Sequence, residues 1–185
     1  MPDTTVNYGF RIPKVDGSDY QNEDDLRVPF IAIDAQLKQM NDASAVIGCV
    51  LGKNSVQVIP GAVTTVVTWP YENFDTSALH DLVVNNSRIT IPAGQGGKYR
   101  VSAKLQFRDT SPVSVSMILL INGLPVFAMN NGPVGVGGFI KGDEIVTVVP
   151  GDYLEVSINL GAASNLESNG VNYNPCIFSA IRIGA

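Results

Sequence analysis

Lys98-Tyr99-Arg100-Val101-Ser102-Ala103-Lys104-Leu105-Gln106-Phe107-Arg108 alternates apolar and polar side chains without a break. Tyr99, Val101, Ala103, Leu105 and Phe107 share one face, and Arg100, Ser102, Lys104, Gln106 and Arg108 share the other. A period of two is that of a half-buried β-strand. The chain continues in the same mode. Val113–Ile121 starts by alternating with Ser114 and Ser116, then turns apolar on both faces from Met117 to Ile121. Asn122-Gly123 is a tight-turn signal, which predicts Leu124–Met129 as the returning arm of a hairpin. Upstream, Val63–Trp69 is rich in Val and Thr, which suit strands. Downstream, Ile145–Val149 is short and apolar, and Pro150-Gly151-Asp152 turns the chain into Tyr153–Leu160, which alternates again. Cys176–Ile183 is apolar on both faces except for Arg182. About eight short strands divided by Gly/Pro turns predict an all-β antiparallel sandwich or jelly roll. No long helical pattern lies between them, which excludes a parallel α/β fold.

Two of these strands have an outer face to cover. In an antiparallel sandwich one face packs on the core and the other meets water. Met117–Ile121 and Cys176–Ile183 break that rule, so loops or another subunit must cover them. Only 16 % of the 185 residues are charged, against about 25 % in an average soluble domain, and a surface poor in charge favours the second subunit.

The charge is unevenly placed. The formal net charge is −5. Residues 1–44 hold 8 acids (Asp3, Asp16, Asp19, Glu23, Asp24, Asp25, Asp34, Asp42) against 4 bases. Residues 45–185 hold the other 9 acids and 8 bases and are nearly neutral. This shift marks the predicted boundary. Residues 1–22 contain Pro2, Gly9, Pro13 and Gly17, lack periodicity, and read as an extended arm. Residues 23–44 predict an amphipathic helix with acids at its positive end and Pro29 in its first turn. Leu26, Phe30, Ile33, Leu37 and Met40 are spaced 4, 3, 4, 3, an a/d pattern. About two heptads are too few for an independent coiled coil. Such a helix either lies on its own domain or joins a short bundle around an oligomer axis. Residues 45–185 are the β domain.

The composition excludes several classes. A chain this apolar is not disordered. An acidic chain poor in Lys and Arg is a poor nucleic-acid binder. No apolar run approaches the roughly 18 residues of a membrane helix, so no membrane insertion is expected. The first residues lack the basic and apolar regions of a secretory signal. Cys49 and Cys176 read as two buried thiols of a protein made in a reducing compartment, although a bridge between neighbouring strands stays open.

Catalytic and cofactor patterns are missing. His80 is the single histidine. No nucleophile motif accompanies it, so it reads as a surface or capping residue. One His and two distant Cys form no zinc cluster, and no calcium loop occurs. Asp143-Glu144 reads as a polar strand entry, with a weak cation site as the alternative. Gly132–Gly138 has no Lys-Ser/Thr pair or helix after it, so it is a mobile surface loop, not a phosphate loop. No enzyme and no cofactor are expected. Gly161–Pro175 is rich in Asn with Tyr173, a composition that suits carbohydrate or protein contact, or simply an Asn-rich turn.

The order of features from residue 45 resembles the C1q/TNF-like jelly roll. It runs from Phe74-Asp75-Thr76 to Ile89–Gly94, then Gly97–Ala103, Leu119–Val126 with its Asn122-Gly123-Leu124-Pro125-Val126 hairpin, Val149–Val156, and Phe178–Ile183. Gln95-Gly96 and the 132–138 glycine loop depart from it. The resemblance implies a ten-stranded sandwich that trimerises about a threefold axis. The beginning of the chain resembles the attachment segment of phage tail-associated proteins. Asn7-Tyr8-Gly9-Phe10-Arg11-Ile12-Pro13 and Ile31-Ala32-Ile33-Asp34 carry that likeness. Together they imply a virion location and a homotrimeric tail-fibre or receptor-binding-type appendage. Tyr8, Phe10, Arg11 and Pro13 would anchor to other virion proteins, and the helix would lie at the axis. Val134, Val136, Asn169, Asn172 and Tyr173 would be candidate contacts to a host surface glycan or protein. A capsid decoration or head-fibre trimer shares this architecture, and a carbohydrate-binding module is the alternative of another class.

Overall fold

The computed structural model describes residues 3–4, 11–12, 30–38, 46–108, 113–135, 137–167 and 175–184. The chain divides into two compact units, Met1–Ala45 and Val46–Ala185.

In the first unit, β1 (Asp3–Thr4) pairs antiparallel with β2 (Arg11–Ile12). The arm read as extended therefore contains a short bridge. A helix, α1, spans 30–38. Phe30, Ile33 and Leu37 share one face of α1 by spacing. They and Ile31 are all exposed in the single chain. Leu26 and Met40 lie outside the described residues.

Among the described residues, the second unit forms two five-stranded sheets and a separate two-stranded ribbon. The front sheet has the order β11 (Phe139–Val148), β8 (Gly97–Gln106), β14 (Ile177–Gly184), β3 (Gly48–Gly52), β6 (Tyr71–Asp75). The back sheet has the order β10 (Leu124–Val134), β9 (Val113–Ile121), β12 (Tyr153–Leu160). Along the free edge of β12 run β7 (Arg88–Thr90) and β5 (Thr65–Val66). The ribbon joins β4 (Gln57–Ile59) to β13 (Ser164–Leu166). All these pairings are antiparallel.

The inward residues of the alternating strands build the core. Tyr99, Val101 and Leu105 of β8 meet Met117 and Leu119 of β9 and Leu154, Val156 and Ile158 of β12, all fully buried. Trp69 stacks on Phe178 at 5.4 Å between ring centroids. One edge of the sandwich closes where β10 crosses β11. There a Cβ on Gly142 would lie 2.5 Å from the Met129 carbonyl oxygen, so only glycine admits that approach. Asn130 Nδ2 donates to the Lys141 carbonyl at 2.8 Å across the same edge.

Several expectations need correction. The glycine segment is not a loop from residue 132, because β10 continues to Val134 in register with Val113. Asn130, Asn131 and Gly132 look like turn residues, but here they pair with Met117, Ser116 and Val115. Pro133 is tolerated because β10 is an edge strand. Two register shifts, between Pro125 and Phe127 and between Ala128 and Asn130, bend β10 across the edge. The strand expected at 145–149 begins earlier, at Phe139. Of Val63–Trp69 only Thr65–Val66 is strand. The Asn122-Gly123 hairpin forms as read, with φ of 53° and 75°, as a type I′ turn requires.

Candidate assembly interface

The two sheets present different outer faces. On the back sheet the outward residues of β9 and β12 include Ser114, Ser116, Glu155 and Asn159, placed by alternation against the buried Val115, Met117, Val156 and Ile158. Ile118 and Leu120 also point outward, but Leu120 is only 9 % exposed and Ile118 is half-buried. Their cross-strand neighbours Ala128 and Pro125 on β10 flank them. The two-faced apolar run at 117–121 is therefore covered largely within the protomer, and no second subunit is needed there.

The front sheet is the reverse. Ile177, Ser179, Ile181 and Ile183 point outward on β14, and Val50 points outward on β3 beside Phe74 of β6. Tyr71 stands opposite Gly52 on the same side. Ile183, Phe74 and Tyr71 are exposed, while Ile177, Ile181 and Val50 are half-buried in the flat face. Ile181 lies over Gly48, where an added Cβ would meet its Cδ1 at 2.6 Å. This open apolar surface is the face of Cys176–Ile183 that lacked a cover. The rim of the sandwich adds a second patch, because Leu124 through Ala128 of β10 are all exposed, with Leu124 at 67 %. Exposed apolar side chains grouped in this way mark a candidate contact surface.

Polar groups share the front face on β8 and β11. Arg100 Nη2 donates to Asp143 Oδ1 at 2.8 Å, and Ser102 Oγ donates to the same oxygen at 3.3 Å. The guanidinium holds the Asp143 carboxyl below the usual carboxylate range. Asp143-Glu144 is thus part of a cross-strand ion pair. Among the described residues no group of three His, Cys, Asp or Glu could hold a metal.

The structure relocates other singled-out residues. Val134 ends β10 with 7 % exposure, so it is packed and not a free loop tip. Val136, Asn169, Asn172 and Tyr173 lie outside the described residues, as do the side chains of Tyr8, Phe10, Arg11 and Pro13. His80 is not a surface group. Its Nδ1 lies 2.9 Å from the Arg88 carbonyl and its Nε2 3.0 Å from the Trp69 carbonyl, while its N–H donates to Asp75 Oδ2. It clamps the 76–87 segment and serves packing. Cys49 and Cys176 are buried free thiols, and burial pushes both pKa values up.

Lys53 escaped the sequence reading altogether. It is fully buried, and its Nζ donates to the Thr68 carbonyl at 2.7 Å and to Gln57 Oε1 at 3.0 Å. Burial lowers its pKa to about 8. Gln57 also accepts from Thr68 N–H and donates to the Val66 carbonyl, so this side-chain pair ties the start of β4 to the end of β5 and the residues that follow it. A lone Lys after Gly52 gives no sequence signal of burial.

The chain matches no family model and no curated protein. Solved structures do match it. The globular domain of zebrafish complement 1qA protein superposes with a TM-score of 0.52 at 13 % identity, covering 75 % of this chain and 98 % of that one. Two crystal structures of murine APRIL give TM-scores of 0.51 and 0.54 at 14 % and 12 % identity, covering 74 % and 75 % of this chain and 99 % and 100 % of theirs. The fold is the C1q/TNF-like jelly roll. Its two five-stranded sheets are the ten-stranded sandwich that the feature order implied.

Proposed function

We propose that this protein is a non-enzymatic bacteriophage virion component, a homotrimeric tail-fibre or receptor-binding-type appendage. The observation that carries the assembly is the open apolar outer face of β14, β3 and β6. A closed ring needs two different complementary patches on each copy. The exposed rim of β10 is the second patch, and rim-on-face packing joins one copy to the next. The apolar face of α1, with Phe30, Ile33 and Leu37 exposed, offers a further surface for self-association. The virion location rests on the attachment-segment likeness of residues 7–13 and 31–34, and the arm would dock to other virion proteins. A cryo-EM reconstruction of the particle tests this reading. Three copies of the jelly roll, joined through their front sheets and held by their N-terminal arms, would support it. Absence of the chain from the particle would sink the virion role.

A further inference from the structure

The segment between β6 and β7 holds no helix or strand, yet it is tied down along its length. Asp75 accepts from Ser77 N–H and His80 N–H. Both ring nitrogens of His80 sit on backbone carbonyls, those of Arg88 and Trp69. Thr90 N–H donates to the Leu79 carbonyl at 2.7 Å, and Trp69 N–H to that of Asn86 at 2.8 Å. Between this segment and β7 lies a cleft of about 310 Å³, at the small end of ligand pockets. Two of its lining residues, Ala78 and Asn85, have φ of 53° and 58°. Such left-handed backbone is strained for alanine, and strain of this kind gathers at ligand sites. The polar groups of the cleft are mixed in sign. Arg88 and Thr90 flank the fully buried Ile89, so they point outward from the back sheet. Glu155, opposite Arg88 in register, accepts instead from Ser87 Oγ at 2.8 Å. The Arg88 guanidinium lies 4.6 Å from the Tyr153 ring centroid, and among the described residues it has no hydrogen-bond or ion-pair partner. Asp81 Oδ1 accepts from Val84 N–H and Val83 N–H, which holds the carboxyl below the usual carboxylate range and leaves Oδ2 open. The proposed assembly uses none of the residues that line this cleft.

We infer that this cleft binds the terminal monosaccharide of an uncharged glycan. One cation and one carboxylate cancel, which favours a ligand without net charge. A sugar hydroxyl both donates and accepts, so it can accept from Arg88 and Asn85 and donate to Asp81 Oδ2. Leu79 and Val84 supply an apolar wall for the C–H face of the ring. The walls are held before a ligand arrives, so binding orders little further. The volume suits one ring and not a chain, which makes a terminal sugar the ligand. A free amino acid also joins opposite charges, but it leaves Asn85 and Thr90 unmet. The inference rests on the attachment role proposed above, for which it names the ligand class and its place.

The test is saturation-transfer difference NMR on the full chain with the methyl glycosides of glucose, galactose, mannose and N-acetylglucosamine. N-acetylneuraminate and alanine serve as charged probes. The expected result is binding of at least one neutral glycoside, with competition by the matching free sugar. Arg88→Gln and Asp81→Asn each weaken it about tenfold, because each removes a charged partner of a hydroxyl. Asp81→Asn keeps an oxygen for the Val83 and Val84 N–H groups, so the turn survives. Val84→Trp fills the cleft and abolishes binding. Failure of every neutral glycoside to bind at millimolar concentration overturns the inference, as does binding that all three variants leave unchanged. Tighter binding of N-acetylneuraminate or alanine, lost in the same variants, overturns the assignment to a neutral sugar. Light scattering on each sample separates the two readings. A trimer that ignores every sugar defeats this inference alone, and a monomer that binds one through the cleft defeats the assembly alone.

Discussion

The two outer faces of one sandwich teach different lessons. Both β9 and β14 read as apolar on two sides. On β9 the outward Leu120 and Ile118 are enclosed by Pro125 and Ala128, because the bulged β10 lies alongside. On β14 the outward Ile177, Ile181 and Ile183 belong to a flat central region with no such neighbour. The same sequence pattern therefore goes with closure by a neighbouring strand in one sheet and with a face left uncovered in the single chain, up to the exposed Ile183, in the other. What separates them is the course of the neighbouring strands, which alternation alone does not reveal.

The largest expected effect breaks that contrast directly. Phe74→Asp/Ile181→Asp places two carboxylates on the front face and converts the trimer to monomers. Ser116→Asp/Asn159→Asp makes the same change in charge on the back face and leaves the mass unaltered. Size-exclusion chromatography with light scattering reads both. Equal behaviour of the two pairs would erase the distinction between the faces.

Next comes the edge that joins the sheets. Gly142→Val drives a side chain into the Met129 carbonyl, 2.5 Å from the would-be Cβ. An expected loss of about 3 kcal/mol follows from forced overpacking, measured by urea denaturation. Gly132→Val is the control, since nothing lies within 4 Å of its would-be Cβ. Similar midpoints for the two variants would show that the β10–β11 crossing is not tight.

Lys53 gives a third effect of similar size that depends on pH. Its folded pKa of about 8 lies below the ordinary lysine value of 10.5. Between those values the unfolded chain holds the proton and the folded chain does not, so this group makes stability rise with pH. Relative to Lys53→Met, wild type gains about 3 kcal/mol between pH 8 and pH 10.5. The buried thiols of Cys49 and Cys176 act in the opposite sense, because their unfolded forms ionise first; a Cys176→Ala background removes from both proteins the thiol whose charge interacts with Lys53. A wild-type–variant difference that stays flat with pH would contradict the buried ammonium.

His80→Leu is smaller. It leaves the Arg88 and Trp69 carbonyls without the ring, an expected cost of about 1–3 kcal/mol. Smallest is Arg100→Gln, where an exposed ion pair is lost. No measurable shift in the urea midpoint of the monomeric Phe74→Asp/Ile181→Asp background is expected.

Much of the fold was legible because its central strands are long and periodic. Lys98–Phe107 and Tyr153–Leu160 could only be half-buried strands, and the Asn122-Gly123 turn has the backbone its residues demand. The misses share a cause. Gly132–Val134 read as the start of a mobile loop, yet tertiary pairing to β9 carries it as an edge strand. Val134 looked exposed because its strand partner Val113 lies 21 positions back, and His80 because the carbonyls of Arg88 and Trp69 that hold its ring, 8 and 11 positions away, carry no side-chain signal. The outward cations of β8 were visible in its alternation, but Lys141 comes opposite Lys104 only through strand pairing across 37 positions. The apolar need of Cys176–Ile183 was readable, but what the outward side chains face was not.

The most direct test of the assembly is the native mass of the full chain at micromolar concentration. The account predicts a single species of about three times 19.7 kDa. A species near 19.7 kDa that persists as concentration rises would contradict it.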